Sequence, residues 1–213
     1  MDRPDPRTTY DRIADHFAAT REHPWPEIES FVADAEPTSL ALDVGCGNGR
    51  HAETLADRAD RVVGLDASRG LLETARRRYV DRGHDFGFPL VQGDAARLPL
   101  SADRFGLGVY VATLHHLRPR ATRIDSLDEL ERVLAPGGRA LVSVWSTTHD
   151  QFDADRGFDT TVDWTLPDGE TVPRYYHIYN PEEFDRDLSA SSLVVHDAFR
   201  ASGNCYAVVG PGD

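Results

Sequence analysis

The sequence predicts an α/β fold in which helices cover both faces of a doubly wound, mostly parallel sheet of seven strands. Two observations support this prediction. Short apolar runs alternate with segments of helical periodicity, and the first of these runs ends in a cluster of glycines. Strands that are joined through helices need right-handed crossovers and therefore lie parallel. The length of 213 residues suits one domain with a small addition.

Two short amphipathic helices are predicted ahead of the sheet. The segment TTYDRIADHFAATR places Tyr10, Ile13 and Phe17 on one helical face. The segment PEIESFVADA follows and begins at Pro26, a residue suited to the first turn of a helix. We expect residues 1–36 to form a helical lid.

The strands of a cofactor-binding core are predicted within residues 37–146. They correspond to the runs SLALDV, RVVGLD, FPLVQGD, FGLGVYVAT and RALVSVW. Ser68 is expected to cap the helix after the second run. A long helix before the fifth run is expected to stop at Pro136-Gly137-Gly138.

The last third of the chain, residues 147–213, has a different character. The stretch after Trp145 is polar and rich in Asp and Thr, which predicts a substrate-side excursion over the sheet's carboxyl edge. A helix should follow, with Asn180 as its N-cap, Pro181 in its first turn and Glu183 in a capping box. The runs SLVVHDAF and CYAVVG predict a closing antiparallel hairpin.

Charge is the unusual feature of the composition. The formal net charge is -13, and all 23 basic residues are arginines, because the sequence contains no lysine. This composition fits solubility in concentrated salt, and we interpret it as halophilic adaptation. The overall sign argues against a module that holds nucleic acid by bulk positive charge, although local arginine clusters could bind a phosphate backbone.

Further features of the sequence indicate where the protein is located and whether it binds a metal. No apolar segment reaches the length of a membrane span, and the first residues lack the apolar stretch of a signal peptide, so we expect a cytoplasmic protein without a membrane partner. The two cysteines, Cys46 and Cys205, form no CxxC pair, and no metal site is expected.

The stretch LDVGCGNGR has glycines at alternate positions, Gly45, Gly47 and Gly49. In a doubly wound sheet the first strand ends beside the point where ligands bind, and glycines allow the backbone to approach a ligand closely. The spacing differs from the dinucleotide motif GxGxxG, because Arg50 stands at the place of the third glycine. A nicotinamide or flavin cofactor is therefore disfavoured but stays an alternative.

Acidic residues follow the next two strands. Asp66 ends the second strand, where a carboxylate can accept both hydroxyls of a ribose. Asp94 follows the third strand and could accept from an adenine amino group, although an acid at such a position is as often a simple turn residue. Together with the glycines, these acids predict a nucleoside cofactor.

At this point the sequence resembles the class I S-adenosylmethionine-dependent methyltransferases. The segments LDVGCGNG, VVGLDAS, VQGDAARLPL, RFGLGVYVATLHHL and RVLAPGGRALVSVW resemble that superfamily's motifs in the right order. The resemblance implies S-adenosyl-L-methionine as cofactor. It implies these cofactor-binding residues: Asp43, Gly45, Cys46, Gly47, Asn48, Gly49, Asp66, Ala67, Asp94, Ala95 and Val111.

The flanking segments carry a narrower resemblance. YDRIADHFAATREHPWP, HHL and RYYHIY are similar to the tRNA wobble-uridine methyltransferases that esterify 5-carboxymethyluridine. The resemblance implies methyl transfer to the carboxylate of that base, or of a close relative, in the tRNA anticodon loop. A carboxylate is anionic near neutral pH and needs no general base, so the enzyme must only hold and align it.

Candidate catalytic residues are donors and aromatic groups near the expected site. They are His115, His116, Arg120, Arg123, His16, Arg21 and Tyr176. Tyr176, with Tyr175, His177 and Tyr179, could also offer a stacking surface for an extruded base. The alternatives are that the histidines cap a strand, that the arginines form a solvated helix face and that the tyrosines are core.

The resemblance also implies a partner, a small zinc-binding activator protein that adds a strand beside the third strand. The run Phe86–Val91 would place Phe86, Phe88 and Leu90 on an edge strand, and an exposed apolar edge needs a cover. We therefore expect a heterodimer. The alternative is that these residues pack on the protein's own helices.

Two other functions remain open. One is methylation of a small metabolite, such as a quinone precursor, which would need a closed apolar pocket and no RNA. The other is a regulatory or scaffold protein that binds S-adenosylmethionine without turnover. A hydride-transfer enzyme ranks last because of the glycine spacing.

Overall fold

The computed structural model describes residues 4–83 and 89–212. Six helices lie in this part of the chain: α1 Pro6–Thr20, α2 Pro26–Ala33, α3 Arg50–Leu55, α4 Arg69–Asp81, α5 Arg120–Val133 and α6 Pro181–Ala190. The strands in the same residues are β1 Ala41–Val44, β2 Val62–Asp66, β3 Leu90–Gln92, β4 Phe105–Val111, β5 Leu134–Trp145, β6 Phe158–Thr165, β7 Thr171–Ile178, β8 Val194–Ala201 and β9 Asn204–Gly210.

The main sheet has seven strands in the order β3-β2-β1-β4-β5-β9-β8. Strands β1 to β5 run parallel, whereas β9 is antiparallel to both β5 and β8. This arrangement confirms the predicted fold class, including the closing hairpin. The chain order reverses between β1 and β4, so the carboxyl ends of these strands form the switch point at which such sheets bind ligands.

Both faces of the inner strands β1, β2 and β4 are buried, which explains why these strands read as continuous apolar runs. Successive residues of a strand point to opposite faces: Leu42 packs in the layer beneath α5 and α6, whereas Ala41 packs in the layer beneath α2, α3 and α4. Leu107 and Tyr110 divide between the same two layers. Because most residues of these inner strands are apolar, a polar residue within them stands out as a functional candidate.

The N-terminal helix α1 crosses the carboxyl side of the sheet. Its Asp11 carboxylate accepts hydrogen bonds from Ser68 Oγ at 2.7 Å and from the Gly70 amide at 2.9 Å at the start of α4. On its other side, Ile13 packs with Trp164 and Val172 of β6 and β7. Helix α1 is therefore attached to both walls of the ligand-binding edge.

The polar stretch after Trp145, predicted as a substrate-side excursion, contains a two-stranded sheet that the sequence analysis did not predict. Strands β6 and β7 pair over eight positions, from Phe158 opposite Ile178 to Thr165 opposite Thr171. Within β6, inward residues alternate strictly with exposed ones. One of the inward residues is a threonine, so the alternation of apolar and polar residues is hard to recognise in the sequence. The hairpin hides its inner face under α1, which is why its exposed face is polar.

Local signals gave mixed results at the helix ends. The Ser68 hydroxyl accepts from the Leu71 amide, and the Asn180 side chain accepts from the Glu182 amide, so both predicted N-caps are confirmed. The predicted capping box at Glu183 is wrong, because this carboxylate instead lies 3.0 Å from His177 Nε2. Helix α5 also ends before the predicted glycines, since Leu134 already pairs with Phe105 in the sheet.

Strand β3 lies at one edge of the sheet, as the partner prediction requires. Phe86 and Phe88 lie outside the described residues. Leu90 is half-buried and packs against the layer that contains α4, so part of the proposed docking run is already engaged within the chain. Among the described residues, no helix is both long and apolar enough to cross a bilayer, and no cluster of three or more His, Cys, Asp or Glu residues could bind a metal ion.

Candidate active site

A pocket opens at the carboxyl ends of β1, β2 and β4, with α1 over it. Pro6, Arg7, Tyr10 and Phe17 of the N-terminal segment line this pocket. Of the residues predicted to bind cofactor, the following also line it: Gly45, Cys46, Gly47, Asn48, Asp66, Ala67, Asp94, Ala95 and Val111. Asp43 and Gly49 do not line it and instead lie behind the loop.

The glycine loop between β1 and α3 needs three left-handed residues. The φ angles of Gly45, Gly47 and Gly49 are 70°, 54° and 80°, values that residues with a Cβ atom adopt only under strain. The amides of Gly45 and Cys46 both donate to the Leu65 carbonyl, at 2.7 and 2.9 Å, and so attach the loop to β2. This geometry brings backbone close to whatever occupies the pocket.

A Gly45→Ala substitution is expected to destabilise the fold by roughly 3 kcal/mol, because it combines left-handed strain with overpacking. An added Cβ atom would overlap the Thr113 side chain. Gly169→Ala is the matched control, since Gly169 has φ 87° and nothing within 4 Å of an added Cβ atom. Urea unfolding of both variants measures the difference. Equal losses would show that packing at Gly45 contributes nothing.

Asp66 is held rigidly at the edge of the pocket. Its Oδ2 accepts from the Gly47 amide at 2.9 Å and its Oδ1 accepts from the Ser68 amide at 2.8 Å. Burial raises the pKa of Asp66 to about 6, although these amide hydrogen bonds oppose the shift. Each oxygen keeps a second lone pair for a ligand hydroxyl. Asp94 is more exposed, and its Oδ1 accepts from the Ala96 amide at 2.9 Å.

The site therefore fits a nucleoside cofactor on structural grounds. It combines a backbone cradle that tolerates no side chain at Gly45, a fixed acceptor at Asp66 and a second acceptor at Asp94. Leu65 and Val111 add apolar surface beside these polar groups. An apolar cleft with a few fixed polar atoms is the usual construction of a cofactor site.

Asp43 lies wholly buried behind the loop, and neither carboxylate oxygen has a hydrogen-bond partner among the described residues. Burial and then the nearby charge of Asp66 raise the pKa of Asp43 to about 7, although Arg50 opposes the shift. A raised native pKa means that the folded state holds a proton that the unfolded state releases. This group therefore stabilises the fold at low pH, and its contribution is lost as the pH rises from about 4 to about 7.

An Asp43→Asn variant should consequently match the wild type in stability near pH 4 and exceed it at pH 8, by up to about 4 kcal/mol. Both proteins contain the same buried histidines, so the effect of these histidines on stability cancels. The difference in stability between the two proteins therefore reports on Asp43 alone. Urea unfolding across this range, with S-adenosylmethionine absent, gives the difference. A stability gap that stays constant with pH would contradict the raised pKa of Asp43.

The two histidines after β4 are both buried and neutral. Burial lowers the pKa of His115 well below its usual range and that of His116 to about 4. His116 Nδ1 lies 2.7 Å from the Tyr175 carbonyl, which assigns the proton to Nδ1 and leaves Nε2 to accept from the Tyr10 hydroxyl at 3.1 Å. His116 lines the pocket. As a neutral acceptor, His116 cannot grip a carboxylate as a cation, so that part of its predicted role is corrected.

His115 caps the end of β5. The Trp145 amide donates to His115 Nδ1 at 3.1 Å, which assigns the proton to Nε2. Nε2 is buried and has no hydrogen-bond partner in the described part of the chain. His115 thus has the capping role that the sequence left as an alternative, and it does not line the pocket.

Arg174 is the residue that the sequence analysis missed. It is 6% exposed, its Nη1 donates to the Tyr176 hydroxyl at 2.7 Å, and the Tyr10 hydroxyl lies 3.5 Å away. Its guanidinium lies over the ring of Trp164, 4.8 Å from the centroid. Its Nε has no partner, and within residues 4–83 and 89–212 no carboxylate pairs with it.

A signal for Arg174 did exist in the sequence. Arg174 alternates with Val172 and Tyr176 along β7, and all three are buried. Recognising β7 as a strand would have shown an arginine on the inner face of a hairpin. The polar appearance of the preceding β6 prevented that prediction.

The other predicted catalytic arginines are engaged elsewhere, which corrects their assignment. Arg120 Nε lies 2.6 Å from Asp187 Oδ1, and the buried Arg123 lies 3.6 Å from Glu183 and 3.7 Å from Asp187. These ion pairs connect α5 with α6. Neither arginine lines the pocket.

The N-terminal candidates contact the hairpin instead of the pocket. Trp164 Nε1 donates to His16 Nδ1 at 3.0 Å, and the Arg21 guanidinium lies 5.2 Å from the Trp164 ring centroid. Both residues therefore hold α1 against β6.

The predicted aromatic platform is core, so this assignment was wrong. Tyr175 and Tyr179 are at most 1% exposed, and Tyr176 and His177 are also buried. The Tyr179 hydroxyl donates to Asp187 at 3.1 Å. The Tyr176 hydroxyl contacts both Arg174 and Tyr10.

Sequence comparisons agree with this site. A family model described as "Methyltransferase domain" matches residues 42–142. A methyltransferase-family protein of Encephalitozoon cuniculi is 34% identical over 207 residues, which cover 94% of this chain and 92% of that protein. A Schizosaccharomyces pombe protein named tRNA (carboxymethyluridine(34)-5-O)-methyltransferase is 28% identical and covers 88% of both chains.

A Xenopus tropicalis protein with the same enzyme name, alkbh8, is 38% identical over 137 residues. The match covers 64% of this chain but only 20% of the Xenopus protein, so the chain spans about a fifth of that relative. Among solved structures, the methyltransferase complexed with the Haloferax volcanii Trm112 methyltransferase activator has a TM-score of 0.71 at 17% identity, covering 98% of both chains. At that identity the likeness shows the fold.

Fold and pocket together define a nucleoside-binding enzyme of the doubly wound α/β class. The chain belongs to the class I S-adenosylmethionine-dependent methyltransferases, and S-adenosylmethionine is its cofactor. Its resemblance to the tRNA wobble-uridine enzymes is confirmed by the named relatives.

Proposed function

We propose that this chain is the catalytic subunit of a tRNA methyltransferase, which esterifies the carboxylate of 5-carboxymethyluridine, or a close relative, at the wobble position. The enzyme name shared by the Xenopus tropicalis and Schizosaccharomyces pombe relatives supports the substrate. The structural observation that carries the proposal is the buried, unpaired Arg174 beside the pocket.

A buried cation without a counter-ion is costly, and the equally buried Arg123 avoids this cost. Arg123 has Glu183 and Asp187 beside it. Arg174 has only hydroxyls and aromatic rings. An anionic substrate group would complete this site, and a carboxylate matches the fork of a guanidinium.

The Tyr10 hydroxyl marks the way from the pocket to Arg174. Tyr10 lines the pocket, and its hydroxyl lies 3.1 Å from His116, 3.3 Å from the Tyr176 hydroxyl and 3.5 Å from Arg174. A carboxylate that enters beside this hydroxyl would meet Arg174 as a cation. His116, as a neutral acceptor, would orient the Tyr10 hydroxyl.

The chemistry needs little beyond this placement. When bound, S-adenosylmethionine supplies an electrophilic methyl group on a sulfonium. A carboxylate is already ionised, so no residue has to remove a proton. Arg174 would hold one carboxylate oxygen and leave the other free to attack, while α1 excludes water from the pocket.

The partner is part of the proposal. The fold neighbour solved with the Haloferax volcanii Trm112 methyltransferase activator supports a small zinc-binding activator for this chain, and β3 offers a free sheet edge. With a net charge of -13 and a medium of high salt, bulk electrostatics would contribute little to RNA affinity. Stacking, shape and the partner would then supply most of it.

The test is transfer of labelled methyl from S-adenosylmethionine to total tRNA at high salt, with the chain alone and after co-expression with a candidate activator. We expect label that base releases, as an ester requires, and expect it only with the activator. Cofactor binding without label in any RNA fraction would contradict the proposal and point to a small-metabolite substrate. Full activity of the chain alone would remove the activator from the proposal.

A further inference from the structure

Arg21 directly follows α1 and lies at the rim of the cofactor pocket. Its carbonyl accepts from Asn48 Nδ2 at 2.7 Å, and its guanidinium lies 5.9 Å from the centroid of the Phe17 ring. Asn48 and Phe17 both line the pocket, whereas Arg21 does not. Arg21 is also exposed, so it is placed to contact the part of a substrate that stays outside the pocket.

The charge of Arg21 is not balanced by the fold. Its Nη1 donates to the Thr20 carbonyl at 3.1 Å, but no carboxylate pairs with it within residues 4–83 and 89–212. Arg12 of α1, which is also exposed, pairs with Glu170 between β6 and β7. Carboxylates are abundant in a chain with a net charge of -13, so an arginine at the pocket rim without one indicates an anionic ligand.

Trp164 lies beside two such arginines. The guanidinium of Arg21 is 5.2 Å from the centroid of the indole, and that of the buried Arg174 is 4.8 Å from it. An aromatic ring attracts a cation, but two cations beside the same ring repel each other. An anion at Arg21 and a second anion at Arg174 would remove this repulsion. The separation of the two guanidiniums cannot exceed the sum of the two distances, so two anionic groups of one nucleotide unit can reach both.

The cofactor has an arginine of its own. Arg50 lines the pocket and stays cationic at neutral pH, although burial and then the charge of Arg21 lower its pKa to about 10. The carboxylate of S-adenosylmethionine can therefore pair with Arg50 inside the pocket. Arg21 lies outside the pocket, where it can bind an anion of the substrate.

We propose that Arg21 binds a phosphate of the RNA substrate, next to the nucleotide whose carboxylate meets Arg174. An RNA backbone carries one anion per nucleotide, and a guanidinium matches a phosphate in both charge and geometry. Such a contact positions the RNA without reading its sequence. Because Trp164 packs against both arginines, it fixes the phosphate contact relative to the carboxylate contact. This inference rests on the proposed function and adds a backbone contact to it.

The test uses labelled anticodon stem-loop RNAs with 5-carboxymethyluridine at the wobble position. In two of them a neutral methylphosphonate replaces the phosphate on the 5′ side or on the 3′ side of this nucleotide. Fluorescence anisotropy measures their affinity for the full chain, co-expressed with its activator if it needs one. One of the two replacements should weaken binding by the wild type roughly tenfold. Arg21→Gln should bind the unmodified RNA roughly tenfold more weakly and should not respond to that replacement.

Arg12→Gln is the matched control, because Arg12 is an exposed arginine of α1 that already has a carboxylate partner. It should keep both the affinity of the wild type and its response to the methylphosphonate. Arg21→Lys should restore part of the affinity, since lysine keeps the charge but loses the planar fork. If Arg21→Gln responds to the methylphosphonate as strongly as the wild type, Arg21 only holds α1 in place and the proposal is overturned.

The remaining outcomes separate this proposal from the proposed function. Weaker S-adenosylmethionine binding by Arg21→Gln, with unchanged RNA binding, would assign Arg21 to the cofactor and overturn the phosphate contact. A wild type that binds no RNA, or that ignores both replacements, would also overturn it, even if the chain transfers methyl to tRNA. The expected response to the methylphosphonate, in a protein that transfers no methyl to tRNA, would keep the phosphate contact and reject the proposed function.

Discussion

Replacing Arg174 with methionine is expected to lower kcat/KM for the tRNA substrate at least hundredfold, while the affinity for S-adenosylmethionine changes little. The physical reason is the loss of a charge-assisted contact in a site of low dielectric, which is worth more than an exposed ion pair. Methionine keeps most of the buried volume, and Arg174 has no carboxylate partner among the described residues that the change would orphan. The fold should therefore survive.

Arg174→Lys distinguishes binding from packing. Lysine keeps the charge but loses the planar fork, so we expect an intermediate activity in which KM for RNA rises more than kcat falls. The matched control is Arg123→Met, which removes an equally buried arginine from the contact between α5 and α6. That variant should lose stability, since it leaves Glu183 and Asp187 without their partner. Equal kinetics in wild type and Arg174→Met would reject Arg174 as the carboxylate-binding residue.

Asp66→Ala is expected to weaken S-adenosylmethionine binding about hundredfold. The change removes the carboxylate that lies at the end of β2 and lines the pocket. It also releases the Gly47 and Ser68 amides, which hold the loop in position. A hydrogen bond to a charged acceptor is worth about 1.5–3 kcal/mol. Losing the bond between Asp66 and the ligand therefore accounts for a loss of affinity of about hundredfold. Isothermal titration with S-adenosylmethionine measures it.

Asp94→Ala is the comparison for Asp66. Asp94 is exposed, and its Oδ1 bonds only the local Ala96 amide, so its contribution to a ligand is screened by water. We expect a loss of roughly tenfold or less, on the scale of one exposed hydrogen bond. A larger loss in Asp94→Ala than in Asp66→Ala would show that the adenine end, not the ribose, dominates cofactor affinity.

Salt links the composition to the proposed mechanism. The chain carries a net charge of -13, yet Arg7, Arg50 and the buried Arg174 gather around the pocket. Burial and the neighbouring Arg21 lower the pKa of Arg50 to about 10, so it stays cationic at neutral pH. Buried charges are screened far less than surface charges, so the buried Arg50 and Arg174 can act on an anion even in concentrated salt.

The sequence by itself determined the features that depend on local pattern. Apolar runs flanked by helical periods specify the parallel sheet, because burial on both faces leaves few polar positions in a strand. The glycines of the first loop and Asp66 could be read directly, since left-handed backbone and strand-end carboxylates leave marks at fixed spacing.

Tertiary structure alone decided which side chains meet. Arg120, Arg123 and Arg174 are chemically alike in the sequence, yet the first two pair with α6, while Arg174 lies unpaired beside Tyr10, 164 residues earlier. Trp25 and Tyr206, which are still further apart in the sequence, line one cleft. Periodicity fixes the face on which a residue lies, but the crossing of distant elements decides its partners and so its charge balance and function.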